Sequence, residues 1–172
     1  MSENTDLIVG IHDLPRRPGT MKQLAREVDA PADLGVEMIR VPAGSPVQLE
    51  LTLESAGEGV LVRGTAEAQL EGECVRCLGP IAYSDTFDVE ELYFYAGRDA
   101  EEDSNFIEDD EIDLEPALRE GIVLNLPINP ICKPECLGLC QVCGFDLNED
   151  PAHAHEATTD GRWAALRGLD LA

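Results

Sequence analysis

Positive charge is scarce in this chain: 12 Lys and Arg stand against 35 Asp and Glu, a formal net charge of -23 over 172 residues. Broad nucleic-acid binding relies on Lys and Arg displacing the counterions of phosphates. So acidic a chain is poorly equipped for that, unless its arginines gather on one face, and a basic protein is the better electrostatic match; solubility alone is the bland alternative. Nothing approaches the ~20 consecutive apolar residues of a membrane span. The opening MSENTDLIVGIHDL has no basic start leading into an apolar run, so no signal peptide is expected and the expected location is cytoplasmic. Also missing are a glycine-rich phosphate loop, an arguable Ser-His-Asp or Cys-His set, and any carboxylate pair that stands out among so many. Neither an enzyme nor a small-molecule substrate is expected.

What is present is a cluster of thiols. The stretch ICKPECLGLCQVCGFDLN holds Cys132, Cys136, Cys140 and Cys143, and Cys74-Val75-Arg76-Cys77 forms a second short pair upstream. Intervals this short suit a tetrahedral zinc ion, since a Cys-x2-Cys turn places two thiolates on one edge of the tetrahedron. Gly144, directly after such a turn, allows the backbone to fold back with positive φ. Six cysteines in a secreted chain would suggest disulfides, but in a reducing compartment clustered Cys-x2-Cys spacing favours metal or redox chemistry. Two of the three histidines, His153 and His155, follow ten and twelve positions after Cys143. They complete a set of eight candidate ligands, or they are solvated residues of a polar tail.

Eight ligands satisfy two zinc ions. Keeping local pairs together assigns Cys74, Cys77, Cys132 and Cys136 to one site and Cys140, Cys143, His153 and His155 to the other. Two other partitions fit the same spacing: a single site of Cys132, Cys136, Cys140 and Cys143, or a ribbon joining only the two Cys-x2-Cys turns.

The rest of the chain reads as α+β: an antiparallel meander or partial barrel over residues 1–130, covered by one main helix, with a zinc-knuckle segment over 131–172 packed on it. Leu7, Val9 and Ile11 alternate as in a short strand, and the Pro-Arg-Arg-Pro-Gly at 15–19 is a loop. Residues 21–28 fit helix or strand equally, and 36–41 reads as a strand ended by Pro42. Val47, Leu49, Leu51 and Leu53 alternate with polar residues, the period of a half-buried strand. A glycine-bearing turn at 55–59 leads to a second strand through Leu70, and Ile81, Tyr83, Phe87 and Val89 mark a third. Ten carboxylates and no basic residue between Asp99 and Glu115 predict a mobile loop. Asp113 can cap a helix carrying Leu114, Leu118, Ile122 and Leu126, stopped by Pro127. A last short helix is expected over Asp160 to Leu169, packing Trp163.

Several of these pieces together resemble one family. Glu73-Cys74-Val75-Arg76-Cys77-Leu78 after an alternating strand, Glu90-Glu91-Leu92-Tyr93, Ile112-Asp113-Leu114 and the CxxxCxGLCxxCGxxLN pattern are similar to the YceD family, whose members are called large ribosomal RNA subunit accumulation proteins. The resemblance runs from about Arg16 to Leu169. Its long cysteine tail is similar to that of Gram-positive and actinobacterial members, in which Cys-x-Cys usually follows Asp-Leu-Asn; here the matching positions hold His153 and His155. Histidine can replace cysteine at zinc. The resemblance implies a non-catalytic role in accumulation of large-subunit (23S) ribosomal RNA, through a ribosomal protein or a precursor large subunit. Direct RNA contact stays open, through Arg76 with Lys133 or through Arg16 and Arg17. The alternative is a redox protein in which Cys74 and Cys77 act as a dithiol.

Overall fold

The computed structural model describes residues 5–97 and 104–155. A 3-10 turn at Thr5–Leu7 leads into strand β1, Ile8–Gly10. There follow β2 (Met21–Asp29), β3 (Gly35–Val36), β4 (Ile39–Arg40), β5 (Pro46–Ser55), β6 (Gly59–Glu73) and β7 (Pro80–Tyr95), then β8 (Phe106–Ile107), β9 (Glu111–Asp113) and helix α1 (Glu115–Val123). A mostly antiparallel sheet, in which only β8 joins β7 in parallel, with one α-helix among the described residues is consistent with the α+β class expected. No helix among the described residues is long and apolar enough to cross a membrane. The helix expected over Asp160 to Leu169, with Trp163, lies outside the described residues.

β5, β6 and β7 run back and forth as consecutive antiparallel neighbours, and β2 adds to the far side of β5. Alternation explains the sheet's two faces. Val47, Leu49, Leu51 and Leu53 of β5 sit opposite Ala68, Ala66, Gly64 and Val62 of β6, and these positions form the buried face. Helix α1 packs there against β7, with Ala117, Leu118 and Ile122 buried. Gly121 allows the close approach, since a Cβ on it would stand 2.8 Å from the Asp88 carbonyl oxygen. The buried Tyr93 hydroxyl donates to the Asp113 carbonyl at 2.8 Å, tying β7 to β9. The other face is solvated and carries Glu50, Glu67, Asp88 and Glu90.

One open reading is decided and three expectations change. Residues 21–28 are strand, with Lys22, Leu24 and Arg26 on the inner side; the Lys22 ammonium reaches Asp13 at 2.7 Å, and Arg26 donates to the carbonyls of Asp6 and Ile8. Long cationic stems cover apolar surface while their heads find oxygen, which is how a strand with two inward charges pairs at all. The single strand expected over 36–41 is instead the tight hairpin β3 and β4, broken at Glu37 and Met38. The acidic stretch is not a loop over 104–113. Ile107 and Ile112 are buried and anchor β8 and β9, and Asp109 and Asp110, at φ of 50° and 58°, form the turn between them. Two successive residues with positive φ fit the type I′ hairpin turn, which Asp tolerates. Arg16 pairs with Asp110 at 2.8 Å and lies 4.7 Å over the Tyr95 ring, offsetting charge at that turn. Helix α1 ends at Val123, short of Pro127. Asp113 does not occupy the cap position, which is Leu114, but its carboxylate accepts from the Glu115 N–H at 2.9 Å.

Gly64 sits mid-sheet with φ of +156°, and a Cβ there would stand 2.0 Å from the Glu50 carbonyl oxygen. A glycine in a long strand marks close approach of another backbone. Gly64→Val is therefore expected to destabilise the chain by more than about 2 kcal/mol in urea unfolding.

Candidate metal centre

The turn from β6 to β7 is a knuckle. The Cys74 N–H donates to the Gly79 carbonyl at 2.8 Å, and the Leu78 N–H to the Cys74 carbonyl at 2.8 Å. The same two bonds recur in the tail, from Cys140 to Phe145 and from Gly144 to Cys140, both at 2.8 Å. The two Cys-x2-Cys turns are thus built alike. Gly144 has φ of 75°, and its counterpart Leu78 has φ of 57°, a conformation that costs a leucine more than a glycine.

Two groups of ligand atoms come together, each with all atoms within 4.8 Å of one another: Cys74, Cys77, Cys132 and Cys136, and separately Cys140, Cys143, His153 and His155. In the first, Cys74 Sγ lies 3.8 Å from Cys136 Sγ and Cys77 Sγ lies 3.7 Å from Cys132 Sγ. A disulfide needs about 2.05 Å, whereas sulfurs at about 2.3 Å from a tetrahedral ion stand about 3.8 Å apart. The donor set fits a metal. In the second group Cys143 Sγ lies 3.3 Å from His153 Nε2 and 3.2 Å from His155 Nε2, and the two imidazole nitrogens are 3.0 Å apart. These are close to the edges of about 3.3 to 3.6 Å for nitrogen and sulfur ligands. Of the three partitions considered from spacing, only the one keeping local pairs intact matches this grouping.

Crowding spreads the thiol acidities. Burial opposes ionisation of Cys74, but the backbone N–H groups of Cys77, Cys132 and Arg76 outweigh it and bring the thiol down to about 6. Burial pushes Cys132 up to about 12, with the neighbouring thiols of Cys136, Cys77 and Cys74 adding to it. Backbone N–H groups of Val142 and Cys143 lower Cys140 to about 7. A divalent cation would remove the conflict within each set by taking the sulfurs as thiolates.

Three supporting residues were not singled out for these roles from the sequence. Asn148 Nδ2 stands 3.5 Å from Cys136 Sγ, and its Oδ1 accepts from the Leu137 N–H at 3.0 Å. Arg76, considered above for RNA contact, donates instead to the Cys136 carbonyl at 2.9 Å. Phe145 stacks on His153 at 4.6 Å and fixes that ring. Outer contacts of this kind orient metal ligands. Asn148 is the last residue of the CxxxCxGLCxxCGxxLN pattern, the only sequence signal pointing to it. Of the other two arginines considered for RNA, Arg16 and Arg17, Arg16 is engaged by Asp110 and Tyr95.

The family model described as large ribosomal RNA subunit accumulation protein YceD matches residues 62–170, a span containing both ligand groups. The chain belongs to the YceD family. An uncharacterized protein of Mycobacterium tuberculosis is 41% identical to this YceD-family chain over 165 residues, covering 93% of it and 79% of the relative. The uncharacterized protein YlbN of Bacillus subtilis is 24% identical over 165 residues, 94% of each. The chloroplastic large ribosomal RNA subunit accumulation protein YCED homolog 1 of Zea mays is 42% identical over 40 residues, 23% of this chain and 14% of that protein. No solved structure matches the chain.

The two groups differ in the loops they close. Cys74 and Cys136 are 62 residues apart, and Cys143 and His155 are 12 apart. Loop-closure entropy alone makes the first clip worth about 1.5 kcal/mol more. Cys74→Ser is expected to lower the melting temperature about 5 °C more than His153→Ala does. Each variant is expected to lose one of two bound ions in native mass spectrometry.

Proposed function

We propose that this chain is a non-catalytic, cytoplasmic factor of large-subunit biogenesis, held together by two structural zinc ions, that supports 23S ribosomal RNA accumulation by engaging a basic ribosomal protein or the precursor subunit carrying it. The observation that carries the reading is the YceD family match across both ligand groups. Zinc suits sets of four thiolates, or of two thiolates and two imidazoles, and four protein ligands leave no position open for substrate or activated water, the mark of a structural site. The partner's chemistry is argued from charge: the net charge of -23 and the carboxylates along the solvated face favour a basic surface.

A second reading, a thiol and zinc redox sensor using Cys74 and Cys77, draws on the lowered Cys74 thiol. Against it, Cys74 is fully buried, whereas sensor cysteines are accessible. Counting thiols with a coloured reagent separates the two. Thiols that appear only after chelation favour structural zinc, and reversible dithiol oxidation at mild potential favours the sensor.

Affinity capture of the tagged full-length chain from growing cells, at low salt, is expected to recover large-subunit ribosomal proteins or precursor ribosomal RNA. Recovery of no ribosomal component would overturn the assembly role. Changing Glu50, Glu67 and Asp88 to their amides is expected to weaken capture of a basic protein about tenfold, and more so as salt is lowered, because exposed charges act within about 8 Å at physiological ionic strength. If RNA were the direct ligand, the same changes would strengthen binding.

A further inference from the structure

Among the described residues strand β2 stands at the edge of the main sheet, and the strand it pairs with is β5. Its register fixes which backbone groups are used. The Ser55 N–H donates to the Thr20 carbonyl and the Ala30 N–H to the Ser45 carbonyl, both at 2.8 Å. In an antiparallel pair, residues that exchange bonds alternate with residues that do not. The even-numbered positions Lys22, Leu24, Arg26 and Val28 therefore bond to β5, and the N–H and C=O groups of Gln23, Ala25 and Glu27 point away from the sheet. No described residue bonds to those groups.

Such an edge invites another strand, and proteins usually blunt it with proline, a bulge or inward charges. Residues 21–29 contain no proline, and the pairing to β5 runs without a bulge. The inward cations are already engaged, Lys22 by Asp13 and Arg26 by the carbonyls of Asp6 and Ile8. On the solvated side the edge adjoins Glu27 and Glu50, followed by Glu67, Asp88 and Glu90 on the next strands. Arg63, the cation among them, is paired to Glu54 at 3.0 Å. A shallow depression follows the seam of β2 and β5, lined by Gln23 to Ala25 and Glu50 to Thr52.

We propose that the free edge of β2 takes an extended segment of a basic protein as an added strand. Main-chain bonds to Gln23, Ala25 and Glu27 would hold the segment, as in other strand additions. Side chains alternate across an added strand. Those on the solvated side face carboxylates and are Lys or Arg; those on the inner side lie beside Leu24, between two cations, and are apolar. The ligand class is thus an extended segment alternating basic and apolar residues. A second copy of this chain is disfavoured, because two chains of charge -23 repel. The proposal rests on the basic-partner reading above and specifies where and how the partner docks.

The probe is a nine-residue peptide alternating Lys and Val, compared by fluorescence anisotropy with a peptide of the same composition whose lysines are grouped at one end. The full-length chain is expected to bind the alternating peptide about tenfold more tightly. On binding, the Gln23, Ala25 and Glu27 amides should slow in hydrogen exchange, while those of Lys22, Leu24 and Arg26 stay unchanged. Ala25→Pro removes an outward N–H without touching the β5 ladder. It is expected to keep its metal content and melting temperature and to lose that tenfold preference. Binding without slowing of the three amides, equal binding by folded Ala25→Pro, or dimerisation of the free chain through this edge would overturn the proposal. If cells yield no ribosomal partner but the three amides slow, the basic-ribosomal-partner reading falls and the edge stands. If Ala25→Pro captures the same ribosomal protein as the unaltered chain, the edge falls and that reading stands.

Discussion

Four sulfurs that stand 3.7 to 3.8 Å apart in cross pairs cannot all ionise beside one another without a cation, and they cannot form disulfides without moving together. That constraint organises the lower end of the molecule. Cys74 and Cys77 are held by the turn between β6 and β7, so a cation shared with Cys132 and Cys136 would fix the tail against the sheet. A small apolar cluster of Cys74, Ile81 and Cys136 lies beneath, separate from the main core. Among the described residues too few apolar side chains gather there to order the tail by burial alone, and metal coordination would supply what the cluster lacks.

The main core needs no such help. Its inner face is built from β5, β6 and β7 and closed by α1, β1 and β9, with Leu34, Ile39, Leu70, Ile112 and Ile122 fully buried. The outer face is free to carry charge, and Glu50, Glu67, Asp88 and Glu90 on it add to the ten carboxylates between Asp99 and Glu115.

Legibility in the sequence followed burial. The residues of β5 announced their strand because every second side chain is apolar and inward. β2 was ambiguous because its inward positions include Lys22 and Arg26, which are half-buried and whose heads are held by Asp13 and by the carbonyls of Asp6 and Ile8. β8 and β9 were hidden among carboxylates, since Phe106 and Ile107 make too short an apolar run to show alternation, Ile112 is flanked by Glu111 and Asp113, and the Asp109 and Asp110 turn resembles a solvated run. The ligand groups were readable because Cys-x2-Cys and His-x-His are local patterns; Asn148 and Arg76 act through contacts that no spacing encodes.

The 62-residue separation of Cys74 and Cys136 also imposes an order in time. A chain grows at about 5 to 20 residues per second, so roughly 3 to 12 seconds pass between synthesis of the first and last ligands of this clip. β6 is complete when Cys74 is made, and β7, β8, β9 and α1 follow within that interval. The nascent sheet can pair before its tail exists, and the Cys74 and Cys77 turn meets its partners as a folded edge rather than as loose chain. Metal capture at this site would thereby be a closing event of biosynthesis, whereas a Cys143 and His155 clip, 12 residues long, would close almost as soon as it is made.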